Sequence, residues 1–284
     1  MDDITTLINK YNGYEVMDLD TNQITDILTG TIQPNFFENQ YVVLRDVDNG
    51  NIVDIRRYAN GELVPIKTFE IDTVHFGKIK PRNLQQRMCF DLLGTKDVPL
   101  KFVTGSYGSG KTFIATNFAF DLLEQDKINK IVYLRNNIAV KGTESIGHLP
   151  GSEQDKMRPW VSPLVDIVGD YEGVIQLLED GKLEVVPLAF IRGRSFVNSI
   201  IICDECENLT KDLFQLIIGR IGEGSELWFL GDIRQTDFGT QRYKNFRDGT
   251  QFVIDRLKGN KLVGVIDLPK TERSSLAALS NLLD

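Results

Sequence analysis

Residues 105–112 read Gly-Ser-Tyr-Gly-Ser-Gly-Lys-Thr, with the spacing G-x-x-x-x-G-K-[ST]. Glycines so placed let a backbone fold round an anion with its N–H groups turned inward, and a following helix adds the positive end of its dipole. The chemistry indicated is the binding of a phosphate chain, which makes Gly105, Ser106, Tyr107, Gly108, Ser109, Gly110, Lys111 and Thr112 candidate nucleotide-binding residues. Lys111 would reach the β- and γ-phosphates and Thr112 would ligate Mg²⁺. Residues 200–205, Ile-Ile-Ile-Cys-Asp-Glu, have the form of an apolar strand that ends in carboxylates, which is where open α/β sheets present ligands. Asp204 would hold the metal through water. Glu205 would orient or deprotonate the attacking water, since phosphoryl transfer needs positioning more than covalent chemistry. A third apolar run, residues 227–235, ends in Gly-Asp-Ile-Arg-Gln, and either Gln235 or Asp232 could sense the γ-phosphate.

Such residues converge only if a parallel sheet brings them together. After Lys78 apolar strands alternate with amphipathic helices, the pattern of an α/β fold whose parallel sheet is flanked by helices. Strands are expected at 100–104, 131–135, 183–187, 200–203, 226–230 and 262–266, and helices at 112–124, 171–179, 211–221, 246–257 and 274–283. Ahead of them, residues 41–66 contain β-rich runs separated by Asn49-Gly50 and Asn60-Gly61, which predicts a three-stranded meander. A sheet that small needs a neighbour to pack on. Short helices are expected at 4–8 and 24–28, and the chain divides into an N-terminal β-rich segment, 1–77, and a larger region, 78–284.

Composition narrows the function classes. With 42% hydrophobic and 25% charged residues in 284, the chain has the balance of a globular protein, which excludes disorder. Its formal charge of −8 repels phosphate backbones, so a nucleic-acid partner would need a local basic patch. Candidates are Arg242, Tyr243, Lys244, Phe246 and Arg247, and the run from Arg135 to Lys141, where cations and rings could hold phosphates and stack bases. Cys203 and Cys206 form a C-x-x-C without a second pair, and zinc is not expected; Cys203 reads as a small apolar residue of a buried strand. No run approaches the ~18 apolar residues of a membrane span. The first residues are acidic where a signal peptide is basic, so a cytoplasmic protein without membrane contact is expected.

Taken in order, GxxxxGKT, DE and GDxxQ resemble the first motor lobe of superfamily one helicases, and more closely the PhoH family of ATPases. The resemblance extends to IKPRNLQQRM (79–88), to IGHLPGSEQDKMRPW (146–160) with Leu149, Pro150, Gly151, Lys156, Met157, Pro159 and Trp160, to PLAFIRGRS (187–195) and to TERSS (271–275). It implies a RecA-like P-loop NTPase that binds ATP with Mg²⁺ and hydrolyses it. It also implies that Gln86 reads the adenine edge, with Gln85 as the neighbour that could be confused with it. Four positions depart from the family pattern: Tyr107 in the phosphate loop, Asn136 after Arg135, Cys206-Glu207 after the paired carboxylates, and Gly219 before Arg220. Longer relatives carry a PIN nuclease domain, for which the ~75 residues before Phe76 are too few, so no nuclease site is expected.

Only one lobe is present, so an arginine supplied in trans would complete the site. The resemblance implies a ring, a hexamer, with Arg192, Arg194, Arg220 and Arg273 as candidate fingers, acting on or stimulated by single-stranded nucleic acid, RNA ahead of DNA. The alternative is a nucleotide-binding scaffold with little turnover; Glu205 favours the enzyme. A nucleotide kinase would need an arginine-rich lid and lacks the GDxxQ strand end.

Overall fold

The computed structural model describes residues 10–32, 35–135, 153–233 and 249–272, with no side chains described for 153–160. The chain enters through β1 (Tyr14–Leu19) and α1 (Thr21–Leu28), then runs through β2 (Tyr41–Asp46), β3 (Ile52–Ala59) and β4 (Glu62–Pro65). These strands make one sheet in the order β1-β2-β3-β4, with β1 parallel to β2 and the other pairs antiparallel. The expected meander is therefore β2 to β4, and the structure adds a parallel fourth strand. YEVMDL carried little signal because half of its residues are exposed at the sheet edge. The β3–β4 turn is the one Asn-Gly demands: Asn60 and Gly61 take φ of 53° and 86°, the positive pair of a two-residue hairpin turn. At the start of α1, Asp20 accepts from Gln23 N while Gln23 Oε1 accepts from Asp20 N, a reciprocal cap.

A hairpin of β5 (Ile71–Thr73) and β6 (Gly77–Ile79) leads to α2 (Leu84–Gly94), β7 (Leu100–Gly105), α3 (Lys111–Glu124) and β8 (Lys130–Arg135). Then follow α4 (Glu153–Val168), α5 (Tyr171–Glu179), β9 (Leu183–Pro187), β10 (Ser199–Cys203), α6 (Lys211–Ile218), β11 (Glu226–Gly231), α7 (Gly249–Leu257) and β12 (Val263–Leu268). Six strands pair in parallel in the order β12-β7-β11-β10-β8-β9. Their near-continuous apolar character follows from burial on both faces. Val103, Tyr133, Ile202 and Trp228 point to the layer holding α2 to α5, while Phe102, Leu134, Ile201 and Phe229 point to the layer of α6 and α7. This is the α/β architecture expected.

Several boundaries move. α6 stops at Ile218 with Gly219 as its cap, where the pattern suggested 221, and the last strand runs to Leu268. Helices α2 and α4 and the β5–β6 hairpin were not anticipated; α2 opens on Leu-Gln-Gln-Arg, and α4 contains Pro159 and Pro163. The expected helices at 4–8 and 274–283, and the first three residues of the one at 246–257, lie outside the described residues.

The two sheets are joined through a buried carboxylate. Asp91 of α2 accepts from Tyr41 Oη (2.8 Å), Arg57 Nε (3.1 Å) and Lys67 N (2.6 Å). Arg57 also donates to Asn39, whose amide donates to the carbonyls of Lys261 and Val263 beside β12. Removing one partner of a buried pair leaves the other charge uncompensated, so Asp91→Ala is expected to lower unfolding free energy by about 3–5 kcal/mol. Urea denaturation would read this. Loss of the exposed Asp18–Arg45 pair should cost under ~1 kcal/mol.

Candidate nucleotide-binding site

Three adjacent strands, β7, β11 and β10, release the chain at the same edge of the sheet, so residues up to 127 positions apart meet there. At the end of β7, Gly105 has φ of 143°, and a Cβ on it would lie 2.2 Å from the Leu268 carbonyl of β12. Only glycine fits. Five successive carbonyls of the loop are then engaged. Lys111 Nζ donates to those of Gly105 (2.8 Å) and Ser106 (2.9 Å), Thr271 Oγ1 to Tyr107 (2.8 Å), Glu272 N to Gly108 (2.9 Å) and Gln86 Nε2 to Ser109 (3.0 Å). The loop is thus held in shape from three separate elements before any anion arrives. Gly110 caps α3 in a left-handed conformation without a side-chain bond, which leaves the start of that helix suited to an anion.

The metal corner lies beside it. Thr112 Oγ1 donates to Asp204 Oδ2 at 3.1 Å, Tyr133 Oη donates to the same oxygen at 2.7 Å, and Glu205 N donates to Asp204 Oδ1 at 3.0 Å. A hydroxyl and a carboxylate are hard oxygen ligands on one side of a cleft, the donor set Mg²⁺ takes when phosphate and water supply the rest. Tyr133 was not anticipated; its one signal was a polar atom inside the otherwise apolar strand Ile131–Leu134. Glu205 follows in a left-handed conformation, φ 56°, which costs an L-residue about 1–2 kcal/mol and turns the chain off the strand axis into the cleft wall.

Glu207 completes the carboxylates. Its Oε2 accepts from Asp232 N at 3.0 Å and lies so close over Gly231 that a Cβ there would come within 2.2 Å of it. Burial, reinforced by the Asp204 and Glu205 charges, pushes its carboxyl up to about 8. Burial also pulls the Lys111 ammonium down, against Asp232, Asp204 and Glu207, which favour its charge. Because the Glu207 pKa is higher folded than unfolded, the folded state holds the extra proton between about pH 4.5 and 8, and stability falls as pH rises through that window. Glu207→Gln does not titrate. The variant is expected to match the parent near pH 4.5 and to exceed it by about 2–4 kcal/mol above pH 8, as read from denaturation at the two pH values.

The cleft has a volume of about 800 Å³ and extends from the loop and Asp204 to Phe76 and Ile79. Tyr107 stands exposed at its rim. Gln86 lines it, buried, with Oε1 accepting from Arg82 N, whereas Gln85 turns away and donates to Tyr14 Oη. Arg192, Arg194 and Arg220 do not line it. Arg194 pairs with Glu184 at 2.6 Å and covers the Phe196 ring. Arg220 lies in the connection entering β11, at the strand ends opposite the loop, with Nε buried and unbonded among the described residues. Cys203 is buried on β10. Gln235, Arg273, the runs 136–141, 149–151 and 242–247, and the side chains of Lys156, Met157, Pro159 and Trp160 lie outside what the structure describes.

The sequence profile of the PhoH-like protein family matches residues 78–279. Protein PhoH2 of Bacillus subtilis (strain 168) is 32% identical over 260 residues, covering 87% of this chain and 57% of the relative. Protein PhoH2 of Thermobispora bispora is 34% identical over 239 residues, covering 80% and 53%. The PhoH-like protein of B. subtilis is 31% identical over 257 residues, covering 88% and 77%. The chain therefore spans about half the length of the two PhoH2 relatives.

Proposed function

The chain belongs to the PhoH-like protein family, and on that premise we propose that it binds ATP with Mg²⁺ at residues 105–112 and hydrolyses it. The observation that carries this reading is the contact between Thr112 and Asp204, 92 residues apart, at the mouth of a loop shaped for phosphates. Lys111 would exchange the Gly105 and Ser106 carbonyls for phosphate oxygens. Asp204 and Thr112 would hold the ion, with Tyr133 fixing the carboxylate. When bound, Mg²⁺ neutralises charge on the phosphate oxygens. Glu205 would hold the attacking water in line, and Asp232, bonded through its N–H to Glu207, would face the γ-phosphate.

We extend the proposal to a region 78–284 working as the ATPase beside an N-terminal β segment 1–77, in a cytoplasmic homo-hexameric ring acting on or stimulated by single-stranded RNA or DNA. No helix among the described residues is long and apolar enough to cross a membrane. Among the described residues, Arg82 alone of the arginines lines the cleft, and its guanidinium bonds to the Glu272 carbonyl. That favours a finger from a neighbouring copy through a heterologous contact. Arg192, Arg194, Arg220 and Arg273 are the candidates. Turnover per subunit is expected to rise with protein concentration in step with assembly seen by native mass measurement. Intact turnover in both Arg192→Ala and Arg273→Ala would defeat the shared site.

A further inference from the structure

The loop and Asp204 take the phosphate end, so the remaining wall, from Phe76 to Gln86 and across to Phe113, must receive ribose and base; this assignment rests on the nucleotide reading above. Selecting adenine requires an acceptor facing its amino group and a donor facing a ring nitrogen. The acceptor is what this wall lacks. Phe76 and Phe113 meet edge to face with centroids 4.6 Å apart, and Ile79 adds apolar surface. Such surfaces take every base alike, because every base has a π-face. Lys78, Lys80 and Arg82 offer donors only.

Gln86 is the one carboxamide, and both ends of it are engaged with backbone: Nε2 with Ser109 O (3.0 Å) and Oε1 with Arg82 N (2.8 Å), in a side chain that is 4% exposed. The Glu272 carboxylate binds Asn83 Nδ2 (2.8 Å) and the Lys270 ammonium (2.9 Å). The other carboxylates of the cleft gather at the metal end. Pro81 has no N–H, and that of Arg82 is already donated to Gln86.

We infer that the site takes nucleoside triphosphates without selecting adenine, and that guanine and uracil, which carry a carbonyl where adenine and cytosine carry an amino group, are accepted at least as well. Lys78 and Lys80 form no ion pair among the described residues and line the wall where that carbonyl would lie. Gln86 is then a positioning residue of the phosphate loop, which corrects the adenine-reading role implied by the resemblance.

Displacement of a ribose-labelled fluorescent ATP from the full chain by ATP, GTP, UTP and CTP, each with Mg²⁺, tests this. The four dissociation constants are expected to lie within about tenfold, with GTP and UTP no weaker than ATP. A preference for ATP above about a hundredfold overturns the inference. No displacement by any of the four overturns the nucleotide site itself, and the inference with it. The double variant Lys78→Ala, Lys80→Ala should weaken GTP and UTP about three- to tenfold more than ATP and CTP; an equal loss for all four overturns the carbonyl contact. Gln86→Ala should weaken all four alike, and a loss confined to ATP overturns the positioning role. Should that variant fail to fold, the displacement series on the parent chain still decides.

Discussion

Glu205→Gln is expected to slow nucleotide hydrolysis by about a hundredfold to ten-thousandfold while leaving Mg²⁺-ATP affinity within about threefold. Glutamine keeps the size and the left-handed backbone of the strand end but cannot accept a proton or orient water through a charge. Asp204, the residue proposed to hold the ion, keeps its bonds from Thr112 and Tyr133, so binding should persist. Single-turnover hydrolysis and titration calorimetry on the same preparation separate the two effects. Unchanged turnover would favour the scaffold alternative, in which the nucleotide closes an assembly and is not consumed.

Lys111→Ala should act on the other term. Charge-assisted bonds to phosphate contribute about 1.5–3 kcal/mol each, so affinity for the triphosphate is expected to fall at least about tenfold, to a hundredfold or more. The free protein should not lose stability with it. Burial disfavours the Lys111 ammonium, and its two acceptors, the Gly105 and Ser106 carbonyls, border an open cleft where water can replace it. A melting temperature equal to or above that of the parent, together with lost binding heat, is the expected pair of results. Retained heat would mean that the loop is not the phosphate site.

Much of this site was legible because its parts are local. Residues 105–112 carry their own conformation in three glycines and a following helix, and residues 200–205 announce a buried strand ending in acid. The hairpin at Asn60-Gly61 was equally plain, since only residues tolerant of positive φ close a two-residue turn. Partners supplied across long sequence distances were not legible. Nothing in Ile-Val-Tyr-Leu-Arg says that Tyr133 will meet Asp204, 71 residues on. Nothing in Thr-Glu says that Thr271 and Glu272 will bind the loop carbonyls of Tyr107 and Gly108. The Gln85–Gln86 ambiguity had the same origin. Adjacent residues on a helix point in different directions, and only the packing of α2 shows that Gln86 faces the loop while Gln85 faces Tyr14.

What the sequence determined by itself was therefore the anion-binding loop, the acid-tipped strand and the alternation that requires a parallel sheet, because backbone conformation and burial are set by neighbours a few residues away. The tertiary structure decided which side chains keep free hydrogen-bonding capacity. The order β12-β7-β11-β10 brings Glu207 against Asp232 and raises its carboxyl to about 8. The seating of α2 against the loop gives both ends of the Gln86 amide to backbone. Those outcomes depend on desolvation and on competition among donors and acceptors brought together by folding, and neither quantity exists until the strands are side by side.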